Sequence, residues 1–315
     1  MTEKKRIPII LGTDWWTDCD DIVAMRVLAW ANDEGLIKIK GINIDACMPF
    51  SAPSLDAYLT AEGLPNINIG IDLSATDYEG ETVYQEWLAQ KPHRFDRNED
   101  YEESIHLYRR ILAASEEKVD ILEIGFSSVL ARLLDSKPDE LSPLSGKELI
   151  KQKVGKLWMM AGKWDEPNGK EYNFSVSEKA MRSGEKICSE WPTPVTFLGF
   201  EIGFTVITGD TLTGKNDILK NSMRVARSPL GRFSWDPMLV LMACIHDEAK
   251  AGYKLIKGTA SVNGKTGENN FVQDINGRHG YVIKLKDDDF YKNSINRILE
   301  SRENKNTHLT YIFRK

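Results

Sequence analysis

Residues 12–21 read Gly12-Thr13-Asp14-Trp15-Trp16-Thr17-Asp18-Cys19-Asp20-Asp21, placing four carboxylates within eight residues directly after the apolar run 7–11. A single acid there would be a solvated turn or a helix cap. Four of them, following a buried strand and flanking two tryptophans, repel one another unless something positive sits among them. A hard cation that takes several oxygen ligands, Ca2+ or Mg2+, is the matching partner. An EF-hand is excluded, because Cys19 stands where its glycine and Met25 where its closing glutamate would be needed. Zinc is disfavoured for want of nearby histidines. One strand end rarely completes such a site, so other strand ends must add oxygens. Three segments qualify: Ile124-Gly125 through a backbone carbonyl, Glu171-Tyr172-Asn173, and Ser234-Trp235-Asp236-Pro237, which opens a helix with proline at its first position. For Asp236 taken singly, helix capping is an equal explanation.

Distant segments converge only if the elements carrying them end on one side of the molecule. The periodicity supplies that arrangement. Strands are expected at 7–11, 37–44, 67–71, 119–124, 157–161, 195–198, 205–207, 254–262 and 281–285. Helices are expected at 20–35, 54–62, 80–90, 101–115, 127–134, 177–182, 215–227, 236–250 and 289–301, with loops at 137–145 and 162–172. Strands alternating with helices predict an α/β fold with three layers, an open and mostly parallel sheet covered by helices on both faces. No low-complexity linker and no internal repeat interrupts the pattern, so residues 1–315 are expected to form a single domain. Ligands of such sheets bind outside the carboxyl ends of the strands. That is where the acidic turn lies.

Composition narrows the partners. The 315 residues are 41% hydrophobic and 28% charged, which excludes fibres and disordered regulators and suffices for a large core. A formal charge of −6 offers no nucleic-acid surface. Cysteines 19, 47, 188 and 244 have no paired spacing, so neither a disulfide framework nor a thiolate zinc site is expected. No apolar stretch is long enough to span a membrane. Lys4, Lys5 and Arg6 precede an apolar run too short for a signal peptide. A cytoplasmic location is the expectation, with an exported form whose leader has been removed as the alternative. Two further motifs are decoys. Residues 209–216 approach a P-loop, but Asn216 replaces its Ser/Thr and Asp210 would face the phosphates, so a helix entry is expected. Asp18-Cys19-Asp20 matches a phosphatase spacing but runs straight into a helix.

Taken in order, these segments resemble the inosine–uridine-type nucleoside hydrolases, in the branch with an expanded Asp-Thr-Asp…Asp-x-Asp-Asp opening. Here that opening is Gly12-Thr13-Asp14 followed by Asp18-Cys19-Asp20-Asp21. Glu123 to Val129 is similar to the family's segment leading into Gly-Pro-Leu-Thr-Asn. Lys170-Glu171-Tyr172-Asn173 and Ser177-Glu178-Lys179-Ala180 are similar to Ala-Glu-Phe-Asn and Asp-Pro-Glu-Ala, and Trp235-Asp236-Pro237 to the late His-Asp-Pro. The order and spacing cover roughly residues 7–285. The resemblance implies a Ca2+ held by Asp14, Asp21, Asp236 and the Ile124 carbonyl, with Asp20 as general base. Asp18, in the expanded turn, is implied as a ligand or a neighbour of the base. Glu171 and Asn173 are implied to hold ribose hydroxyls of a small nucleoside or riboside substrate. A homodimer or homotetramer is the implied assembly.

Four departures from the pattern bear on substrate. Trp15-Trp16 puts rings beside the metal, either stacking on a base or sugar or closing the site against water. Met48 stands where an early asparagine facing the sugar or metal is expected, and Asp165 where another asparagine is expected. Trp235 replaces a histidine proposed to protonate a departing purine, and indole has no proton to give at useful pKa. His279, among glycines before a strand, is the candidate replacement acid, against the blander reading of a surface histidine. The leading expectation is a Ca2+-dependent hydrolase of the N-glycosidic bond. The alternatives are a hydrolase of another glycoside-like substrate and a non-catalytic nucleoside- or sugar-binding protein, which would need no water-activating carboxylate.

Overall fold

Ile9 and Leu11 pack into one apolar cluster and Ile10 into another, and all three are fully buried. A strand covered on both faces is what an interior position in a parallel sheet requires. The computed structural model describes residues 6–16 and 18–303; Lys4, Lys5, Thr17 and His308 lie outside the described residues. The strands are β1 Ile7–Thr13, β2 Ile37–Ile44, β3 Ile69–Ile71, β4 Glu102–Glu103, β5 Val119–Glu123, β6 Val154–Met160, β7 Gly169–Lys170, β8 Val195–Leu198, β9 Ile207–Thr208, β10 Arg232–Phe233, β11 Tyr253–Val262, β12 Glu268–Gln273 and β13 His279–Lys284. The helices are α1 Asp20–Asp33, α2 Ser51–Ala61, α3 Val83–Leu88, α4 Ser104–Ala114, α5 Ser128–Asp135, α6 Gly146–Lys153, α7 Tyr172–Ser175, α8 Glu178–Glu190, α9 Phe200–Gly203, α10 Ile218–Val225, α11 Trp235–Ile245 and α12 Asp288–Glu303.

Among the described residues, 11 strands form one sheet in the order β4-β3-β2-β1-β5-β6-β8-β13-β11-β12-β7. Pairing from β4 to β13 is parallel throughout, and β11, β12 and β7 extend it antiparallel. Ile22 of α1, Leu55 of α2, Leu239 of α11 and Ile295 of α12 join the Ile9 cluster on one face. Leu107 of α4, Val129 of α5, Leu149 of α6 and Ile187 of α8 join the Ile10 cluster on the other. The result is the expected three-layer α/β fold. From β1 the chain builds β2 and β3 to one side, then returns to lay β5, β6 and β8 on the other. Connections leaving in opposite directions open a crevice at the carboxyl ends of β1 and β5, the switch point where such sheets bind ligands.

Several elements differ from expectation. Residues 146–153, for which the periodicity predicts no element, form α6, opened by a reciprocal cap between Ser145 and Glu148. The helix expected over 177–182 continues to Glu190, because Gly184 in its interior packs under the Phe174 ring rather than ending it. Residues 207–208 pair with β10 in a small separate ribbon. The strand β12, Glu-Asn-Asn-Phe-Val-Gln, was not anticipated, since its pairing rests on main-chain bonds to β11 and not on an apolar run. Residues 209–216 do enter a helix: Asp217 caps α10, and Asp210 pairs with Lys292 at 2.7 Å. No helix among the described residues is long and apolar enough to cross a membrane.

Candidate active site

The turn after β1 is tied down by its own side chains. Thr13 Oγ1 donates to Asp21 and accepts from the Trp15 N–H, while the Trp16 N–H donates to Asp14 Oδ1 at 3.2 Å. Trp15 takes a left-handed φ of +46°, a costly conformation for a bulky residue. What holds it is its ring, fully buried between Tyr58 and Tyr84, with the indole N–H donating to Ser54 Oγ at 2.8 Å. The strained residue swings its neighbour the other way. Trp16, not Trp15, lines the cavity, stacked on Tyr172.

Helix α1 begins at Asp20 with no side-chain cap, so Asp20 and Asp21 sit in its first turn, where free N–H groups favour negative charge. Helix α11 brings Asp236 to the same place, its N–H donating to Asp20 Oδ2 at 3.2 Å across 216 residues. Carboxylate oxygens of Asp20, Asp21 and Asp236 lie within 4.8 Å of one another. This tightest trio contains Asp20 where the resemblance implies Asp14; Asp14 borders the same cavity. Gly125 lets the end of β5 cross against the end of β1: a Cβ there would lie 2.3 Å from the Asp14 nitrogen. Ile124 is thereby set on the cavity wall.

Burial is the first cause that drives the carboxyls of Asp14, Asp20, Asp21 and Asp236 well above the usual range, and their mutual repulsion adds to it. Among the described residues no lysine, arginine or histidine lines the cavity. Buried, clustered hard oxygens without an internal counter-charge fit a divalent cation of the calcium or magnesium kind. Asp18 is different. Arg232, from the strand preceding α11, grips it with both nitrogens of its fork, Nε at 2.7 Å.

On the far wall Glu171 caps α7, accepting from the Asn173 N–H at 2.8 Å and the Gly162 N–H at 2.9 Å. Burial still pushes it up to about 7. The Asn173 amide donates to the Met160 carbonyl at 2.9 Å, and both side chains border the cavity, whose volume is about 400 Å³. Trp235 borders it too, with its indole N–H donated to the Phe200 carbonyl at 2.7 Å and its ring stacked on Phe200. Beside Phe200, Glu201 accepts from the Trp164 N–H, and burial lifts it to about 7 as well.

The cavity thus gathers Asp14, Asp18, Asp20, Asp21, Ile124, Glu171, Asn173, Trp235 and Asp236. Four other sequence candidates lie elsewhere. Trp15 is in the core, for the reason given. Met48 packs at the edge of the cluster of Trp16, Tyr78 and Phe126. Asp165 is exposed and paired with Lys163. His279 is aligned with Val195, the first residue of β8, at the amino ends of the strands and hence at the opposite edge of the sheet. It is 1% exposed, accepts from the Ala260 N–H, and burial lowers it to about 4. Sequence reasoning missed Met160 and Phe200 on the lining and, behind it, the buried acids Asp45 and Glu123. Burial lifts Glu123 to about 8; burial and Glu123 raise Asp45. Their signal was available: each is an acid inside or ending an otherwise apolar strand.

No family model matches the sequence, and no curated protein matches it. Solved structures do. The chain is similar to an inosine-uridine preferring nucleoside hydrolase from Bacillus anthracis, with a TM-score of 0.65 at 16% identity over 93% of this chain and 99% of that one. It is similar to the plant nucleoside hydrolase PpNRh1, with a TM-score of 0.67 at 12% identity over 95% and 99% of the two chains. The type III effector protein XopQ, complexed with adenosine diphosphate ribose, gives a TM-score of 0.63 at 13% identity over 95% and 94%. With its mostly parallel sheet, its switch-point crevice and these likenesses over nearly the whole length, the chain has the fold of the nucleoside hydrolases.

Proposed function

We propose that this chain is a hydrolase of the N-glycosidic bond of ribonucleosides or related N-ribosides, working with a bound Ca2+. The observation that carries the reading is the convergence of Asp20 and Asp21 with Asp236 on a cavity that Glu171 and Asn173 also border. Asp14, Asp21, Asp236 and the Ile124 carbonyl would hold the cation, which when bound supplies Lewis acidity toward water and the sugar diol. Asp20, fixed by the Asp236 N–H, takes the proton of the attacking water. Glu171 and Asn173, rigid on their backbone partners, receive the ribose hydroxyls. The surrounding carboxylates stabilise positive charge developing on the sugar ring. Asp18, bound by Arg232, is a clamp between the β1 turn and the segment entering α11. A single domain acting as a homodimer or homotetramer on a small-molecule substrate completes the reading.

A reducing-sugar assay across a nucleoside panel, with calcium and with chelator, tests it. Sugar release that chelation abolishes and calcium restores supports the proposal. Ligand binding without sugar release from any riboside would leave a binding protein instead.

A further inference from the structure

The acidic wall shares its cavity with four rings. Trp235 lies 5.4 Å from Phe200 at 28°, and Trp16 lies 6.3 Å from Tyr172 at 24°. Because the indole N–H of Trp235 is spent on the Phe200 carbonyl, Trp235 offers ring surface and no free donor. The described histidines are all placed away from this lining, which among the described residues carries six acidic side chains and no basic one. Arg232 pairs with one of those acids, Asp18, and the other five have no basic partner on the lining among the described residues. One of these rings already has a cation beside it: the Arg232 guanidinium carbon is 5.9 Å from the Trp235 centroid.

We propose that the substrates of this cavity are N-ribosides whose aglycone is a positively charged heteroaromatic ring, a pyridinium or an N-alkylated purinium. The inference rests on the N-riboside hydrolase reading and specifies its substrate class. A neutral purine must be protonated as it departs, or leave as an anion into an acidic cavity. A cationic ring needs neither. The water oxygen bonds to C1′, and the C1′–N bond breaks with its electron pair passing to the ring nitrogen. The aglycone leaves neutral, and the water's proton passes to Asp20 and then to solvent. Cation and water become ribose, neutral base and a proton. Until the bond breaks, aromatic faces and carboxylates both favour the charge.

Turnover of nicotinamide riboside, inosine and p-nitrophenyl riboside with calcium present, together with calorimetric binding of 1-methylnicotinamide and of nicotinamide, tests this. Nicotinamide riboside should exceed inosine in kcat/KM by about 100-fold or more. The methylated cation should bind about tenfold tighter than nicotinamide, and Trp235→Leu should reduce that preference severalfold while calcium affinity stays unchanged. Equal binding of the two nicotinamides, or inosine cleaved as fast as the cationic riboside, overturns the inference. Loss of inosine turnover in Tyr172→Phe, with the cationic riboside unaffected, would reveal a phenolic acid and overturn it too. If no riboside is cleaved, p-nitrophenyl riboside included, the hydrolase reading itself fails. If p-nitrophenyl riboside and inosine are cleaved and nicotinamide riboside is not, only the substrate class fails.

Discussion

Asp20 and Asp21 are neighbours in one helical turn, yet the proposed chemistry gives them different work, and substitution separates the two. Asp236→Ala removes one of the three clustered carboxylates and should abolish turnover and weaken calcium binding by about 100-fold or more. Calorimetry showing unchanged affinity would remove Asp236 from the ligand set. Asp20→Asn preserves shape and still accepts from the Asp236 N–H, but cannot take a proton. Turnover should fall by about 10²–10⁴ with calcium still bound. Near-normal rates in that variant would move the base role to Asp18, at the cost of releasing it from Arg232.

The elements explain how far the site could be read before the fold was known. Acids after an apolar strand, a Glu-Tyr-Asn segment and an Asp-Pro helix start are local patterns, and parallel strands force their ends to one side. Which tryptophan faces the cavity is not local. It depends on the left-handed turn at Trp15, stabilised by Ser54, Tyr58 and Tyr84 from elements far along the chain. His279 was misleading for a related reason: glycines announce a turn but not which edge of the sheet it occupies, and strand register decided that. Helix α6 and the length of α8 were legible in part, through the Ser145–Glu148 cap, and hidden in part, because Gly184 serves packing. The β1–β5 crossing gives a prediction at this scale. Gly125→Ala places a methyl 2.3 Å from the Asp14 backbone nitrogen, so the two strand ends must part. A loss of about 1–3 kcal/mol in urea unfolding, with weakened calcium affinity, is expected. Wild-type stability in this variant would mean that the crossing tolerates separation.

For the molecule as a whole, buried acids make stability depend on pH. Glu201 is held at about 7 in the folded chain by burial, above its ordinary value of 4.5. The folded state therefore keeps a proton that the unfolded state releases. Its contribution is fully present below about 4.5 and is lost as pH rises through about 7. Glu201→Gln, neutral at every pH and still able to accept from the Trp164 N–H, should raise Tm at pH 8 relative to wild type. The gain, about 1 kcal/mol or more, should vanish at pH 4; an equal effect at both pH values would show that Glu201 does not titrate in this window. The 216-residue separation between Asp20 and Asp236 also has a consequence during synthesis. A ribosome-bound chain that has released β1, α1 and even β8 carries the acidic turn but not the carboxylate that completes the trio. The trio is therefore assembled only once α11 has emerged and docked, so a chain terminated before α11 carries the acidic turn without the site that the turn serves.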